Sequence, residues 1–234
     1  MGLNLCGQLV ESLGLKIVGN EILPGTCIPH EDELRSKYGV SRTVTREAIR
    51  SLAAKGLVES RPKIGTTVSN REMWNYLDPQ ILDWSVTTDS DGSFYYHMVQ
   101  FRQAIEPEAA AFVAKYGSAE EIANIEKLAH QMSESIGESD AYFKADLAFH
   151  LSILRAAKNP LFGPIIKVIT FSLNYSLKLT NPNSAKNKTS VPLHLAVANA
   201  ISSRQPELAR MAMHGHFQNL MERIQAHFAV QKAN

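Results

Sequence analysis

Ser41-Arg42-Thr43-Val44-Thr45-Arg46-Glu47-Ala48-Ile49-Arg50 is the stretch on which the fold turns. At about 100° per residue, Val44, Ala48 and Leu52 fall on one side of a helix, while Thr43, Arg46 and Arg50 cluster within roughly 60° on the other. One side packs and the other is free to meet an anion. Ser41 suits the N-cap, because its hydroxyl accepts from a first-turn N–H that lacks an intrahelical partner, and Gly39-Val40 ahead of it reads as a turn. Upstream, Glu31-Asp32-Glu33-Leu34-Arg35-Ser36-Lys37-Tyr38 reads as a helix with acids in its first turn and bases in its last, as the macrodipole prefers. The pattern is helix, tight turn, helix, the arrangement in which the second helix enters a DNA major groove.

Working outward, Leu5, Leu9, Leu13 and Ile17 recur at helical spacing, so the chain opens with an amphipathic helix that ends near Gly19. Ile22-Leu23-Pro24-Gly25 is a turn. The helix that begins after Ser41 runs to Lys55, where Gly56 stops it. Leu57-Val58-Glu59-Ser60 and Thr66-Thr67-Val68-Ser69 read as short strands joined by the basic turn Arg61-Pro62-Lys63-Ile64-Gly65. Residues 1–71 are thus expected to form a winged helix-turn-helix domain. Its candidate DNA contacts are Arg35, Ser41, Arg42, Thr43, Thr45, Arg46, Arg50, Lys63 and Gly65. An arginine-lined face is often merely solvated. Here the capped helix, the preceding helix and the basic hairpin occur together in the right order, which favours duplex DNA.

The net charge of +1 over 234 residues does not reveal this patch. Its distribution does: between Arg35 and Lys63 only Glu47 and Glu59 are acidic, a local basic patch on a near-neutral chain. Cys6 and Cys27 offer neither a disulfide framework nor a zinc spacing, and read as reduced thiols of a cytoplasmic protein. Leu3-Asn4-Leu5-Cys6 lacks the basic start and apolar run of a leader. The apolar segment from Pro164 to Leu173 is interrupted by Lys167 and is too short to span a bilayer.

After Asn70 the strand signal disappears. Residues 72–80 are expected to be a linker, too aromatic at Trp74 and Tyr76 to be floppy, with Asp78 capping a short helix and Pro79 at its first position. Residues 81–234 are expected to be all helical. Phe94, Met98, Phe101, Ile105 and Phe112 mark one helix. Ile122, Ile125, Leu128, Met132 and Ile136 mark a second, opened by the capping box Ser118-Ala119-Glu120-Glu121. Phe143, Leu147, Leu151 and Leu154 mark a third, ended by Asn159-Pro160. A largely apolar helix from Leu161 to about Leu179, a polar loop from Asn181 to Lys188, and helices from about Ser190 to Ser203 and Pro206 to Ala229 complete the reading.

Several ionisable residues of this half stand out. Asp146 and His150, four apart, share a face at the rim of the apolar stripe. His194 lies near the centre of its helix's stripe with Val191, Ala198 and Ile201. In the last helix His216 sits closer than His214 to the stripe of Met213, Phe217, Leu220 and Ile224. One carboxylate and three imidazoles from three helices suit a divalent metal. A single inward histidine is more often a hydrogen-bonded core residue, so both readings stand at this level. Arg102 flanks an apolar stripe, and a partly buried guanidinium wants a carboxylate, which Glu106 or a ligand can supply. A metal-dependent enzyme fused to a DNA-binding module is the alternative class. Against it, no HExxH or comparable run and no evident general base accompany the set.

With these residues in view, the chain resembles the GntR superfamily of bacterial repressors, in the FadR branch with an all-helical FCD ligand domain. The marks are Ile22-Leu23-Pro24-Gly25, Ile28-Pro29-His30-Glu31-Asp32-Glu33-Leu34, Val40 to Ala48, Leu52 to Val58 and Gly65-Thr66-Thr67-Val68. In the second half they are Arg102 with Glu106-Pro107, Asp146-Leu147-Ala148-Phe149-His150, Asn159-Pro160, His194 and Ala212-Met213-His214-Gly215-His216. Trp74-Asn75-Tyr76-Leu77-Asp78 and Leu82-Asp83-Trp84 look most like the sugar-acid regulators. The resemblance implies a mainly α protein, a repressor that binds operator DNA as a homodimer. It further implies a divalent metal, zinc or else nickel or another transition metal, on Asp146, His150, His194 and His216. A small carboxylate effector would bind at that metal and Arg102. Two departures are visible: Asp32 stands where relatives often carry a base, and His214 where they often carry an arginine.

Overall fold

The computed structural model describes residues 3–180 and 184–233, with side chains at 3–176 and 188–226. It divides into two units, one ending at Ser90 and the other beginning at Asp91.

The first unit contains α1 (Leu5–Val18), α2 (Glu31–Tyr38), α3 (Arg42–Ala54), β1 (Val58–Arg61), β2 (Gly65–Val68), a 3-10 turn (Arg71–Met73) and α4 (Pro79–Thr87). Its local signals act as read. The Ser41 hydroxyl accepts from the Val44 N–H at 3.3 Å, and Gly39 closes α2 with φ of +61°, a left-handed conformation that glycine adopts without strain. The two strands pair antiparallel with Val58 opposite Val68 and Arg61 opposite Gly65. Each is shifted by one residue from expectation, so the tip is the three residues Pro62-Lys63-Ile64. A further pairing was not legible: Gly25 N–H donates to Val68 O (2.8 Å), Val68 N–H to Thr26 O (2.9 Å) and Ile28 N–H to Thr66 O (2.9 Å). Pro24, Gly25 and Pro29 disguise residues 25–28 as plain loop, yet they flank β2 along its other edge.

The core of this unit joins Leu9, Leu13 and Ile17 of α1 to Leu34, Ala48, Leu52 and Leu57, and it also includes Trp74, Ile81 and Trp84. This corrects the expected division at 72–80 and 81: both the linker and the helix after it pack into the first unit. Trp74 Nε1 donates to Ser69 O at 3.1 Å, and Lys55 Nζ pairs with Asp78 at 2.7 Å. Gly56, at φ +77°, lets Met73 O approach to where a Cβ would stand 1.9 Å away. The physical reason is coverage, because Ile81 and Trp84 seal the face of α1 that α3 leaves open. Asp78 caps α4 as read, accepting from Gln80 N–H at 2.9 Å.

The second unit consists of α5 (Ser93–Tyr116), α6 (Ala119–Glu134), α7 (Ser139–Ala156), α8 (Phe162–Thr180), α9 (Ser184–Ser202) and α10 (Pro206–Ala233). Helices α5 and α10 run antiparallel: Arg210 binds Glu108 through Nε (2.6 Å) and Nη2 (3.0 Å), and Gln225 donates to the Tyr96 hydroxyl at 3.4 Å. The Ser118–Glu121 capping box forms in full. Helix α9 starts at Ser184, inside the stretch expected to be a polar loop, because polar residues such as Ser, Lys and Asn do not by themselves exclude a helix; residues 181–183 of that stretch lie outside the described residues. Helix α10 extends to Ala233 rather than to 229. Among the described residues no helix is long and apolar enough to cross a membrane.

The buried face of α5 also differs from expectation. Phe101 and Phe112 are 36% and 37% exposed, whereas Arg102 and Glu106 are 1% and 0% exposed. The inward stripe is Tyr95, Met98, Val99, Arg102, Glu106, Ala109, Ala110 and Val113. Two charged residues thus sit at the centre of the bundle, where the apolar periodicity had placed phenylalanines.

Candidate functional site

Helix α3 holds the cationic face. Arg42, Thr43, Arg46 and Arg50 are exposed along it, with Ser41 exposed at its start. Thr45 is a correction to the candidate contacts: it is fully buried, with its hydroxyl donating to Ser41 O at 3.2 Å, because it falls on the side shared with Ala48 and Leu52. Acids engage three of the guanidinium groups: Arg46 Nε stands 3.4 Å from Glu31, Arg50 Nη1 2.7 Å from Glu47 and Arg35 Nη1 2.9 Å from Asp32. Such exposed pairs are weak and exchangeable, so a polyanion can take over the arginines. At the wing tip Lys63 and Gly65 are both exposed, with φ of +66° and +109°. A left-handed lysine is uncommon and turns its side chain out at the apex of the hairpin.

In the second unit the chain brings together residues that lie far apart in sequence. Asp146 and His150 come from α7, His194 from α9 and His216 from α10. The three imidazoles offer ligand nitrogens within 4.8 Å of one another. His194 Nε2 lies 3.4 Å from His150 Nε2. Asp146 Oδ1 lies 2.9 Å from His194 Nε2 and 3.5 Å from His150 Nε2. Ligands about 2.0–2.1 Å from a tetrahedral ion stand about 3.3–3.4 Å apart, close to these separations. His216 Nδ1 is buried without a hydrogen-bond partner, which a metal bond would satisfy. The three imidazoles could therefore hold a divalent ion, with Asp146 beside two of them.

The surroundings hold this set in place. The ring of Phe149 packs edge-on against His150 and His194, with centroids at 5.5 Å and 5.3 Å. His194 Nδ1 donates to Ser190 O at 2.9 Å, which leaves Nε2 facing the centre. Glu106, on α5, contacts His150 Nδ1 through one oxygen and accepts from Arg102 Nε at 2.7 Å through the other. Arg102 lies over the Phe217 ring at 5.1 Å, and its Nη2 is buried without a partner.

These contacts set the charge states. Burial pushes the Asp146 carboxyl up, but hydrogen bonds from His150 and His194 hold it well below its ordinary value. Burial acts likewise on Glu106 and is outweighed by the Arg102 guanidinium and the His150 imidazole, which leave it below the usual carboxylate range. Burial pulls His150 down, and Glu106 more than restores it. Burial and then the charges of His194 and His150 drive His216 well below the ordinary histidine value, so its ring is neutral and a competent ligand near pH 7. The arrangement is a buried cluster in which Asp146 and Glu106 are held as carboxylates beside three imidazoles and the Arg102 guanidinium.

All four expected ligands and Arg102 thus fall in one bundle. His150 is at the heart of the packing and not at its rim, with 1% exposed. His214 is exposed and His216 buried, in agreement with the preference between them. The reading missed Glu106's second role. Its spacing from Arg102 was visible, but the link to His150, 44 positions away, needs the fold. Ser190, whose main-chain oxygen and hydroxyl lie 2.9 Å and 3.3 Å from His194 Nδ1, was also missed, although its i,i+4 spacing from His194 was visible.

Comparison with known proteins supplies the family context. Residues 97–219 match the FCD domain, and residues 5–68 match the bacterial regulatory proteins, gntR family. The HTH-type transcriptional regulator YieP of Escherichia coli K12 is 34% identical over 203 residues, 85% of this chain and 86% of its own length. The galactonate operon transcriptional repressor of the same organism is 34% identical over 160 residues, 68% of this chain and 70% of its own. Among solved structures, that of Lar, described as controlling expression of the Listeria monocytogenes agr system, shares the fold. It has a TM-score of 0.65 at 19% identity, covering 97% of this chain and 99% of that one.

Proposed function

We propose the following for this chain, which belongs to the gntR family of bacterial regulatory proteins and is a DNA-binding transcriptional regulator with an FCD domain: it represses an operon in the cytoplasm, and a small sugar acid relieves the repression. It acts as a homodimer on a palindromic operator, two-fold protein symmetry matching two half-sites. Arg42 and Arg46 read guanine edges or clamp phosphates, Ser41, Thr43, Arg35 and Arg50 hold the backbone, and Lys63 and Gly65 bring the wing onto the adjacent phosphates.

The observation that carries the effector reading is Arg102 Nη2, a charged donor buried without a partner among the described residues, in the same bundle as the His150–His194–His216 cluster. Leaving a buried charged donor unpaired is costly, and a carboxylate ligand removes that cost. Zinc, or another divalent metal, would be held by Asp146, His150, His194 and His216, and when bound it supplies a positive centre for the ligand's oxygens. Arg102 binds the carboxylate and fixes its plane, while Phe149 and Phe217 exclude water. The galactonate operon repressor, named for a sugar acid, supports that ligand class. A ligand that prefers one dimer geometry shifts operator affinity by its differential binding, typically about 1–3 kcal/mol.

The relatives are named as regulators, and nothing supports the enzyme alternative. The deciding experiment titrates aldonic acids and the matching neutral sugars into the protein–operator complex. Release by an acid and not by its neutral sugar is expected, and it should be lost in Arg102→Ala. No release by any acid, or a normal response from Arg102→Ala and chelator-treated protein, overturns the assignment.

A further inference from the structure

Glu106 stands where the two halves of this pocket meet. Its carboxylate is fully buried, and its oxygens are divided between helices: Oε1 accepts from Arg102 Nε at 2.7 Å, and Oε2 contacts His150 Nδ1. The other nitrogen of that ring, Nε2, lies 3.4 Å from His194 Nε2 and 3.5 Å from Asp146 Oδ1. His150 therefore spans the distance from Glu106 to the ligand cluster. A ring that donates at one nitrogen presents a lone pair at the other, in a fixed tautomer and orientation. On the opposite side, the guanidinium is planar, so anchoring Nε over Phe217 also fixes the direction of the unpartnered Nη2.

We infer that Glu106 is a positioning residue shared by both sites, aiming His150 Nε2 at the metal and the Arg102 fork at the anion. This rests on the metal-and-anion reading above. A filler role, one ion pair at i,i+4 spacing within α5, would engage Arg102 alone. The contact with His150 on α7 marks the difference. It also makes the two binding events depend on one carboxylate, because disturbing it misaligns both partners.

The test uses the full chain with zinc alone as the probe. Calorimetric titration compares wild type with Glu106→Gln, which keeps the shape but offers one acceptor and one donor in place of two acceptors. A loss of about 10–100-fold in zinc affinity is expected, together with loss of the protected Arg102 Nε–H signal by NMR. A second measurement needs no variant: long-range proton–nitrogen NMR of zinc-loaded wild type should show His150 protonated at Nδ1 and metal-bound at Nε2. Equal zinc affinity in a folded Glu106→Gln, or metal bound through His150 Nδ1, overturns the inference while leaving the metal site standing. Wild type that takes up no zinc overturns the metal reading and this inference with it.

Discussion

Trp84 of α4 packs so closely on Gly14 of α1 that a Cβ added at the glycine would stand 2.5 Å from two carbons of the indole ring. A glycine inside a helix is ordinarily a defect of about 1 kcal/mol relative to alanine. Here it is the seat of the helix that closes the first unit's core. Gly14→Ala should therefore destabilise that unit in spite of its better helix propensity. Overpacking of about 1–3 kcal/mol, less the propensity gain of about 1 kcal/mol, leaves a net loss of up to about 2 kcal/mol. Denaturant unfolding followed by tryptophan fluorescence measures it, and a variant more stable than wild type would contradict the packing described.

Arg46 is held by Glu31 in the free protein at 3.4 Å and faces outward from α3. Arg46→Ala should weaken operator binding by about 1–3 kcal/mol if it reads a base. Because the pair with Glu31 is exposed and worth little, fold stability should hardly change. Binding measured at fixed salt, beside a thermal melt, separates the two effects.

Lys63 occupies a left-handed conformation, φ +66°, which costs a residue with a Cβ about 1–2 kcal/mol. Lys63→Gly relieves that strain but adds freedom to the unfolded chain, so stability should shift by less than about 1 kcal/mol in either direction. Operator affinity should nonetheless fall about equally for all sequences, with the salt slope reduced by about 1. An unchanged salt slope would remove Lys63 from the phosphate contacts.

Glu121 supplies a pH-dependent element. The Ser118 backbone N–H is the main cause that holds its carboxyl below its ordinary value, with Lys158 adding to it. A depressed carboxylate contributes stability above its unfolded pKa and loses it as pH falls through the folded pKa. Glu121→Ala should therefore cost about 0.5–1 kcal/mol near neutrality, the scale of a helix cap, and progressively less in acid. Melts of both proteins from pH 7 down to pH 3 should converge, and a constant gap would contradict the charge-assisted cap.

If the proposed site holds, metal should stabilise the second unit, because His150, His194 and His216 come from α7, α9 and α10. Added zinc should raise the melting temperature with a concentration dependence that follows binding linkage, and chelator should reverse it. His194→Ala should abolish the response. A rise of equal size in that variant would place the zinc elsewhere.

Both units were legible where local chemistry decides the backbone. Ser41, Gly39, Gly56, Asp78 and Ser118 each act through hydrogen bonds or φ values within a few residues, and each acts as read. What escaped was non-local. Residues 25–28 form pairings with β2 that no local pattern announces, and Trp74, Ile81 and Trp84 join a core whose other members lie near the start of the chain. In α5 the error came from charge, because apolar periodicity assumes that charge faces water, and Arg102 and Glu106 invert this by pairing with each other and with His150 inside the bundle. The inward histidines alone left a metal set and a hydrogen-bonded core both open, and the contact of Glu106 with His150 arises only when α5 meets α7, whereas Ser190 and His194 are neighbours on α9.

The pairing of residues 25–28 along β2 bears on how the protein approaches a duplex. With β2 held between β1 and residues 25–28, the hairpin meets its target already shaped, so docking does not have to freeze the backbone of a dangling loop, a saving of about 1–2 kcal/mol for every residue spared. Under the proposed contacts, the interval between those of α3 and those of the wing would then be dictated by the protein rather than negotiated with each sequence it visits.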